Sequence, residues 1–352
     1  MAKPEVLLAG ATGYIGGTIL STLLNTENGL LEHCNLSLLV RGQDKARVFD
    51  AKGLKTVLFD DLENTQEIER IASNYDLIIN TTPGGSVNSA AAFIRGLGNG
   101  KALTGHDVFY IHTSGTSNLA DQPITGAYHE PRTFTDTSPD LHPYLQHRNS
   151  LTLYAQRTAD LTVIATGLAA AVKTYIIMPP TIYGPGTGLF NRLTIQVPTI
   201  IRAALRNGQV MQLGADDGDV ECVHVQDLAD LYLLLAGRMV NGDDLDAMPS
   251  GARGIYFAST DRYTWKEFAD GIAEAMVKVG GIKTKEVKKV GLEEAAAEWT
   301  GGHQLLCELN FGSNFRTRPD TSRKLGWQPS RTKEDFKNHY LETAELVMET
   351  RT

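Results

Sequence analysis

The chain has little cysteine, no excess of basic residues and no long apolar run. Its three cysteines, Cys34, Cys222 and Cys307, are an odd number without metal-type spacing. That excludes a disulfide framework and fits thiols kept reduced in the cytosol. A formal net charge of -8 leaves no basic footprint, so neither nucleic acid nor an anionic membrane is expected as the main partner. No stretch approaches membrane-spanning length, and Lys3 and Pro4 lead straight into the apolar run Val6 to Ala9 without a cleavage-type segment. A soluble, cytoplasmic protein is expected. Low-complexity tracts are also missing, and a composition of 42% hydrophobic and 21% charged residues is that of a globular enzyme. A small molecule becomes the expected partner.

What is present is a regular alternation. Short apolar runs (EVLLAG, LSLLV, TVLFD, DLIIN, VFYIHTS, VKTYIIM) are separated by helical patterns such as GTILSTLL, DKARVFDAK, QEIERIAS and a long helix from about Tyr154 to Gly167. Strands separated by helices make βαβ units, and this series predicts a doubly wound parallel Rossmann sheet. Between Ser117 and Ser150 lies a segment rich in Pro, Asp, Thr and His without clear periodicity. Beyond Pro179 the pattern loosens into turns, two helices and the strands CVHV and GIYFAST. The expected organisation is a dinucleotide-binding domain over 1–182, which also receives about 220–262, and a smaller C-terminal α+β substrate lobe from 183–219 and 263–352.

The segment Gly10-Ala-Thr12-Gly13-Tyr14-Ile15-Gly16-Gly17 follows a strand and opens a helix. A dinucleotide pyrophosphate needs bare backbone and a helix N-terminus at that point. Gly10 permits the tight turn, Gly13 lets phosphate approach, and Gly16 lets the helix sit close to the strand. The second strand ends Val40-Arg41-Gly42, with Lys45 close behind and no carboxylate where an NAD-type site places one. A guanidinium there pairs with a 2′-phosphate, so NADP(H) is the expected cofactor. Asp60 and Asp61, after the third strand, are placed to edge the adenine pocket or simply to end a strand in solvent.

GATGYIGG, MPPTIYGPGTG, CVHVQDLADL and RPDTSRKLGW, in that order, resemble elements of the extended short-chain dehydrogenase/reductase superfamily, in its NAD(P)-dependent epimerase/dehydratase and NmrA-like branches. The resemblance covers nearly the whole chain. In MPPTIYGPGTG, Pro179 matches the family's Pro beside the nicotinamide, while Met178 stands where Arg is usual. The resemblance implies cofactor contacts at Thr12, Tyr14 and Ile15 in the first turn, at Thr81, Thr82 and Pro83 after the fourth strand, and at Thr158, Pro179 and Ile182.

The resemblance also implies a catalytic set: a hydroxyl at the end of the fifth strand and a YxxxK helix whose Tyr passes the proton and whose Lys lowers the Tyr pKa. Ser114 is the matching hydroxyl, with Thr113 as the alternative, and Tyr154 is the matching Tyr. Its i+4 partner is Thr158 instead of Lys, and an uncharged hydroxyl does not do what an ammonium does. Arg157 is one position off the required face, and Tyr144 with Arg148 is a second candidate pair. His112, just before the two hydroxyls, reads as an acid/base or as a core histidine. His142 and His147 are not spaced as metal ligands, and no metal is expected. Where nucleotide-sugar members grip a diphosphate with Arg, this chain has Val220 followed by Glu221. A neutral organic substrate is therefore expected, under a lid supplied by Phe190, Asn191 and Arg192.

Three functions are compatible with these residues. The first is an NADP(H)-dependent reductase or dehydrogenase acting on a carbonyl or imine. The second is an epimerase, dehydratase or cyclase without net redox, and the third a non-catalytic, NmrA-like dinucleotide sensor. The chain is expected to be a monomer or a homodimer.

Overall fold

A computed structural model describes residues 3–26 and 29–350 of the chain. The first half alternates as the apolar runs require: β1 (Glu5–Ala9), α1 (Tyr14–Asn25), β2 (Asn35–Val40), α2 (Gln43–Asp50), β3 (Lys55–Leu58), α3 (Thr65–Ala72), β4 (Leu77–Asn80), α4 (Val87–Thr104) and β5 (Phe109–Thr113). Next come β6 (Phe134–Thr135), α5 (Leu141–Leu151), α6 (Ala155–Ala169), β7 (Lys173–Met178), β8 (Thr181–Tyr183), α7 (Gln196–Asn207), β9 (Val210–Leu213), β10 (Val220–His224) and α8 (Val225–Asn241). The chain closes with β11 (Ile255–Phe257), β12 (Asp261–Tyr263), α9 (Trp265–Lys278), β13 (Val287–Val290), α10 (Leu292–Trp299), α11 (Gln304–Phe311), β14 (Thr317–Arg318), α12 (Asp320–Lys324) and α13 (Lys333–Glu349).

A seven-stranded sheet runs in the order β11-β7-β5-β4-β1-β2-β3, and every pairing in it is parallel. Parallel strands covered on both faces are apolar at nearly every position, because alternate side chains serve opposite layers. Val6 and Leu8 belong to the core under α1 and α8, while Leu7 and Ala9 belong to the core under α3, α4 and α6. The sequence turns one way from β1 to β2 and β3 and the other way from β4 outward. This switch point opens a crevice beyond the carboxyl ends of β1 and β4, where ligands of such sheets bind.

The seventh strand is the IYF of GIYFAST, which pairs with β7 from Ile255 opposite Ile176. CVHV behaves differently from that return: β10 pairs with β8 in parallel and with β12 antiparallel, in a separate three-stranded sheet. A third core joins α7, α9, α10, α11 and α13 around Trp265, Phe268, Tyr263 and Phe311. Capping boxes at Thr264 with Glu267 and at Thr332 with Asp335 start two of its helices, each satisfying backbone N–H groups that would otherwise lack partners. The segment 117–150, which shows no periodicity, contains α5, with Leu141, Tyr144, Leu145 and Arg148 buried. No helix among the described residues is long and apolar enough to cross a membrane.

Candidate active site

The glycine turn joins β1 to α1 and is shaped by what stands next to it. Gly10 has φ +94, and a Cβ on it would stand 2.9 Å from the Thr81 backbone carbonyl. A Cβ on Gly16 would collide with the Gly10 carbonyl and the Thr81 hydroxyl. Only bare backbone lets the turn lie against the end of β4, where Thr81 donates to the Ala9 carbonyl at 2.8 Å. Gly13 is the N-cap residue of α1, whose first turn carries no acidic side chain. The result is a cradle of peptide N–H groups at a helix N-terminus, which fits a pyrophosphate.

From this turn a pocket of about 750 Å³ extends toward the third core, at α10 and α11. Gly13, Tyr14, Ile15, Thr81, Thr82, Pro83, Pro179 and Ile182 line it, as do Thr113, Ser114 and Tyr154. Trp299, Leu306, Leu309, Phe311 and Phe315 form its far wall, and no Asp, Glu, Lys, Arg or His is among the lining residues. Gly10 and Gly16 stand behind the turn. The Thr12 carbonyl accepts from Asn191 at 3.3 Å, which ties the turn to the loop that follows Gly188. The Tyr14 hydroxyl donates to the Gly184 carbonyl at 2.6 Å, so this ring fastens the turn to the YGPG segment.

Seven expected positions lie outside the pocket lining: Gly10, Thr12 and Gly16 of the turn, and Arg41, Lys45, Asp61 and Thr158. Arg41 and Lys45 are exposed beyond β2, and Asp61 is exposed, with its carboxylate capping the Glu63 N–H at 3.1 Å. Thr158 also falls outside: its hydroxyl meets the Asn149 side chain at 3.3 Å and the Tyr154 carbonyl at 3.1 Å.

Thr158 falls outside because of the phase of α6. Tyr154 is the N-cap, with extended backbone at φ -137; its carbonyl accepts the Thr158 N–H at 2.9 Å, but its side chain does not leave the backbone as a helical residue's does, so the two side chains do not share a face. The buried face of α6 is set by Ala159, Asp160, Val163, Ile164 and Gly167. Gln156 and Asp160, four residues apart, are the polar pair that this face turns toward β5. A Cβ on Gly115 would lie 2.8 Å from Gln156 Nε2, and Asp160 accepts from Ser114 at 2.7 Å.

The hydroxyls are distributed accordingly. Thr113 donates to the Asn80 carbonyl at 2.8 Å and meets the Tyr232 hydroxyl at 2.6 Å. Ser114 is engaged with Asp160 and Asn118. Ser117, just past the strand end, stands beside Tyr154, with the two hydroxyls 3.1 Å apart. Gln156 Oε1 accepts from both, at 2.9 Å from Ser117 and 3.1 Å from Tyr154. Reading along the sequence misses Ser117 because a 3₁₀ turn, Thr116–Asn118, carries it back to the site. The signal that was available for Gln156 and Asp160 is the apolar stripe of α6, which fixes the inward face.

Behind this cluster lies a buried pair. His112 is 1% and Asp160 0% exposed, with His112 Nε2 3.6 Å from Asp160 Oδ1. Burial pushes the Asp160 carboxyl up to about 8 and the His112 imidazole down to about 4, so both are neutral at pH 7. Arg157 reaches into the interior, where its guanidinium donates to the Asn118 and Thr152 carbonyls. It lies 5.6 Å from the Tyr154 ring centroid. Burial raises the Tyr154 pKa, and the Ser117 hydrogen bond and the Arg157 charge only partly oppose that.

Other expectations are corrected. Tyr144 and Arg148 bond each other at 2.8 Å on α5, with the Arg148 guanidinium 3.4 Å from the Tyr128 ring centroid. They are part of the interior and do not line this pocket. Glu221 does not face the substrate space: it is 1% exposed and bonded to Thr317 and Arg262. Of the lid residues, Asn191 lines the pocket, while Phe190 packs edge-on against Phe49 and Arg192 donates to the Gly186 carbonyl. Among the described residues no group of three His, Cys, Asp or Glu side chains stands together as metal ligands.

Residues 6–248 match the NAD dependent epimerase/dehydratase family, and the chain belongs to that family of nicotinamide dinucleotide enzymes. Its architecture is that of the extended short-chain dehydrogenases/reductases. A double mutant of DesIV, the dTDP-glucose 4,6-dehydratase of Streptomyces venezuelae, solved with NAD bound, superposes with a TM-score of 0.66 at 16% identity, covering 98% of this chain and 97% of that one. The UDP-glucose 4-epimerase of Thermotoga maritima gives 0.60 at 12% identity, covering 99% and 100%. A curated relative, the oxidase ucsJ of an Acremonium species, is 26% identical over 343 residues, 92% of each chain.

Proposed function

We propose that the chain is an NADP(H)-dependent reductase or dehydrogenase acting on a carbonyl or imine carbon of a small organic molecule. The observation that carries this reading is the continuous, uncharged pocket from the glycine turn to the aromatic wall. It offers space for a nicotinamide and an apolar reactant side by side, and no cation for a diphosphate. When bound, the dinucleotide supplies or accepts a hydride at its nicotinamide ring. The chain's own residues cradle the pyrophosphate at Gly10, Gly13 and Gly16, flank the ring with Pro179 and Ile182, and exclude water with Trp299, Phe311 and Phe315. The likeness to an oxidase supports net redox.

The preference for NADP(H) rests on Arg41. It is exposed at the end of β2, and the charges that follow it on α2, Asp44 and Arg47, face each other at 3.9 Å. That leaves the Arg41 guanidinium to a 2′-phosphate. Titration with NADPH and NADH tests it: NADPH binds at least about tenfold more tightly, and Arg41→Ala removes the difference. Equal affinities in the unaltered chain would refute the phosphate argument.

Turnover without net redox is the second reading, favoured by the dehydratase and epimerase activities named for the solved neighbours. Absorbance at 340 nm separates the two, since only net redox changes it as product forms. Binding of dinucleotide with no turnover on a broad panel would instead favour a sensor.

A further inference from the structure

Asp160 is a carboxyl that the fold buries completely and then connects to the pocket through one hydroxyl. Ser114 lines the pocket, and its Oγ stands 2.7 Å from Asp160 Oδ2. Asn118 donates its amide to that same Oδ2 and, at 3.1 Å, to Ser114 Oγ. The other carboxyl oxygen, Oδ1, has no hydrogen-bond partner and faces His112 Nε2, which also lacks one, at 3.6 Å. Buried atoms without a partner cost stability, and proton handling is a recurrent reason for keeping them. The titratable groups that face Asp160 are His112 of β5 and, at the start of its own helix, Arg157 and Tyr154. Arg148 of α5 and Arg95 and Lys101 of α4 are paired elsewhere.

Reduction of a carbonyl needs a proton donor beside the reacting oxygen. Two groups of the pocket lining carry such a proton, the Tyr154 phenol and the Ser114 hydroxyl. They differ in what remains after it leaves. A Tyr154 phenolate would keep the Ser117 hydroxyl and the Asn310 amide, but it would face the Gln156 oxygen, and Arg157 is anchored on the Asn118 and Thr152 carbonyls. A Ser114 alkoxide never has to form, because Asp160 refills the hydroxyl across the 2.7 Å contact. The carboxylate left behind keeps Ser114 and Asn118 as donors and has His112 within reach of Oδ1. The acidities agree with this order. Burial raises the Tyr154 phenol above its ordinary value of 10, whereas it brings Asp160 up to about 8, near the pH at which a proton donor works.

We infer that Asp160 is the proton source of the site and acts through Ser114, the group that touches the reacting carbonyl oxygen. The inference deepens the reductase reading above and rests on it. The reduced dinucleotide supplies the hydride and leaves oxidised. The carbonyl carbon gains a C–H bond, the C=O π pair becomes an oxygen lone pair, and that oxygen takes the Ser114 proton while Ser114 Oγ takes the Asp160 proton. The products are an alcohol and the Asp160 carboxylate, which water in the emptied pocket reprotonates through Ser114. Oxidation of an alcohol runs the same steps backward, with the carboxylate as final acceptor.

The relay is read without turnover. With Asp160 protonated, Ser114 is free to donate to a carbonyl; with Asp160 ionised, Ser114 donates to the carboxylate instead. 1-Tetralone labelled with carbon-13 at its carbonyl is titrated into the full chain loaded with NADP+, which cannot reduce it. Expected is a downfield shift of the bound carbonyl resonance at about pH 6 that fades with a midpoint at about pH 8. Asp160→Asn, whose amide oxygen accepts from Ser114 at every pH, removes this limb and holds the resonance at its high-pH position. Ser114→Ala does the same, while Tyr154→Phe retains the limb. A resonance independent of pH in the unaltered chain, a limb that survives Asp160→Asn, or one that disappears in Tyr154→Phe overturns the inference and leaves the dinucleotide reading intact. No binding of dinucleotide overturns that reading, and no binding of millimolar 1-tetralone to the loaded chain overturns the carbonyl one, each taking this inference with it.

Two spectra test the proton holders directly. The infrared difference between the unaltered chain and Asp160→Asn shows the C=O stretch of a protonated carboxyl at about pH 6, and Ser114→Ala moves its frequency. Absence of that band, or a frequency indifferent to Ser114→Ala, overturns the assignment. The ultraviolet difference between the unaltered chain and Tyr154→Phe follows the Tyr154 titration and shows no phenolate below pH 10, the ordinary phenol value. A phenolate near neutrality would make the phenol the group that yields its proton first, and would overturn it too.

Discussion

Replacing Asp160 by Asn should stabilise the protein, and increasingly so as the pH rises. The carboxyl is fully buried and its pKa is pushed up to about 8, against an ordinary value of 3.8. The unfolded chain therefore ionises Asp160 above about pH 4, while the folded chain keeps it protonated until about pH 8. A folded-state pKa above the unfolded one means that stability falls as pH climbs through that window, by at most about 1.4 kcal/mol per pH unit. At pH 7 the penalty reaches roughly 4 kcal/mol. An Asn side chain has the same shape, still accepts from Ser114 and Asn118, and offers an N–H toward His112, whose ring nitrogens have no hydrogen-bond partner. Denaturant unfolding of both chains from about pH 5 to 8 measures the effect. The gain from Asp160→Asn is small at pH 5 and reaches about 2 to 4 kcal/mol at pH 8. A loss of more than about 1 kcal/mol at pH 8 would refute the reasoning, because it would mean that Asp160 is ionised and paired with a protonated His112.

The remaining predictions address the turn, the helix phase and a buried carboxylate. Gly16→Val forces a side chain into the Gly10 carbonyl and Thr81; it should lower stability by about 1 to 3 kcal/mol and dinucleotide affinity by at least about tenfold. Unchanged affinity in a fluorescence titration would show that this turn is not the cradle. Thr158→Lys restores the family spacing on the wrong face, beside Asn149, so the Tyr154 titration should stay where it is. A fall of one pH unit or more would mean that the inward face of α6 has been misassigned. Glu221→Ala strands the buried Thr317 N–H and hydroxyl, while Arg262 keeps its bond to Asp219; a loss of about 1 to 3 kcal/mol in urea unfolding, with NADPH affinity unaltered, is expected. A large drop in affinity would place Glu221 nearer the ligand than its burial allows.

The sheet was legible because parallel strands covered on both faces are mostly apolar, and short runs such as EVLLA and LIIN recur between helical patterns. The glycine turn was legible because its constraint is steric and local, acting between Gly10, Gly16 and the end of β4. The proton-handling side of the site was not, for reasons of phase. Tyr154 sits at the N-cap in extended backbone, so counting four residues forward leads to Thr158, half-buried beside Asn149 of α5 and outside the pocket lining. The spacing rule presumes that its first residue is already helical. Ser117 escaped because a 3₁₀ turn after β5 brings back a residue three positions beyond Ser114. Glu221 was misread because β10 belongs to a small separate sheet, and its register opposite Arg262 turns the carboxylate into the interior.

We propose that an uncharged pocket, opening from the Gly10 to Gly16 turn, holds the nicotinamide end of a dinucleotide against the Tyr154, Ser117 and Gln156 cluster. A crystal structure grown with NADPH tests it most directly. Expected there are the pyrophosphate over Gly13 at the start of α1, the 2′-phosphate on Arg41, the nicotinamide between Pro179 and the cluster, and no ammonium or guanidinium contacting the Tyr154 hydroxyl. A nicotinamide bound elsewhere, or a cation bonded to that hydroxyl, would contradict it.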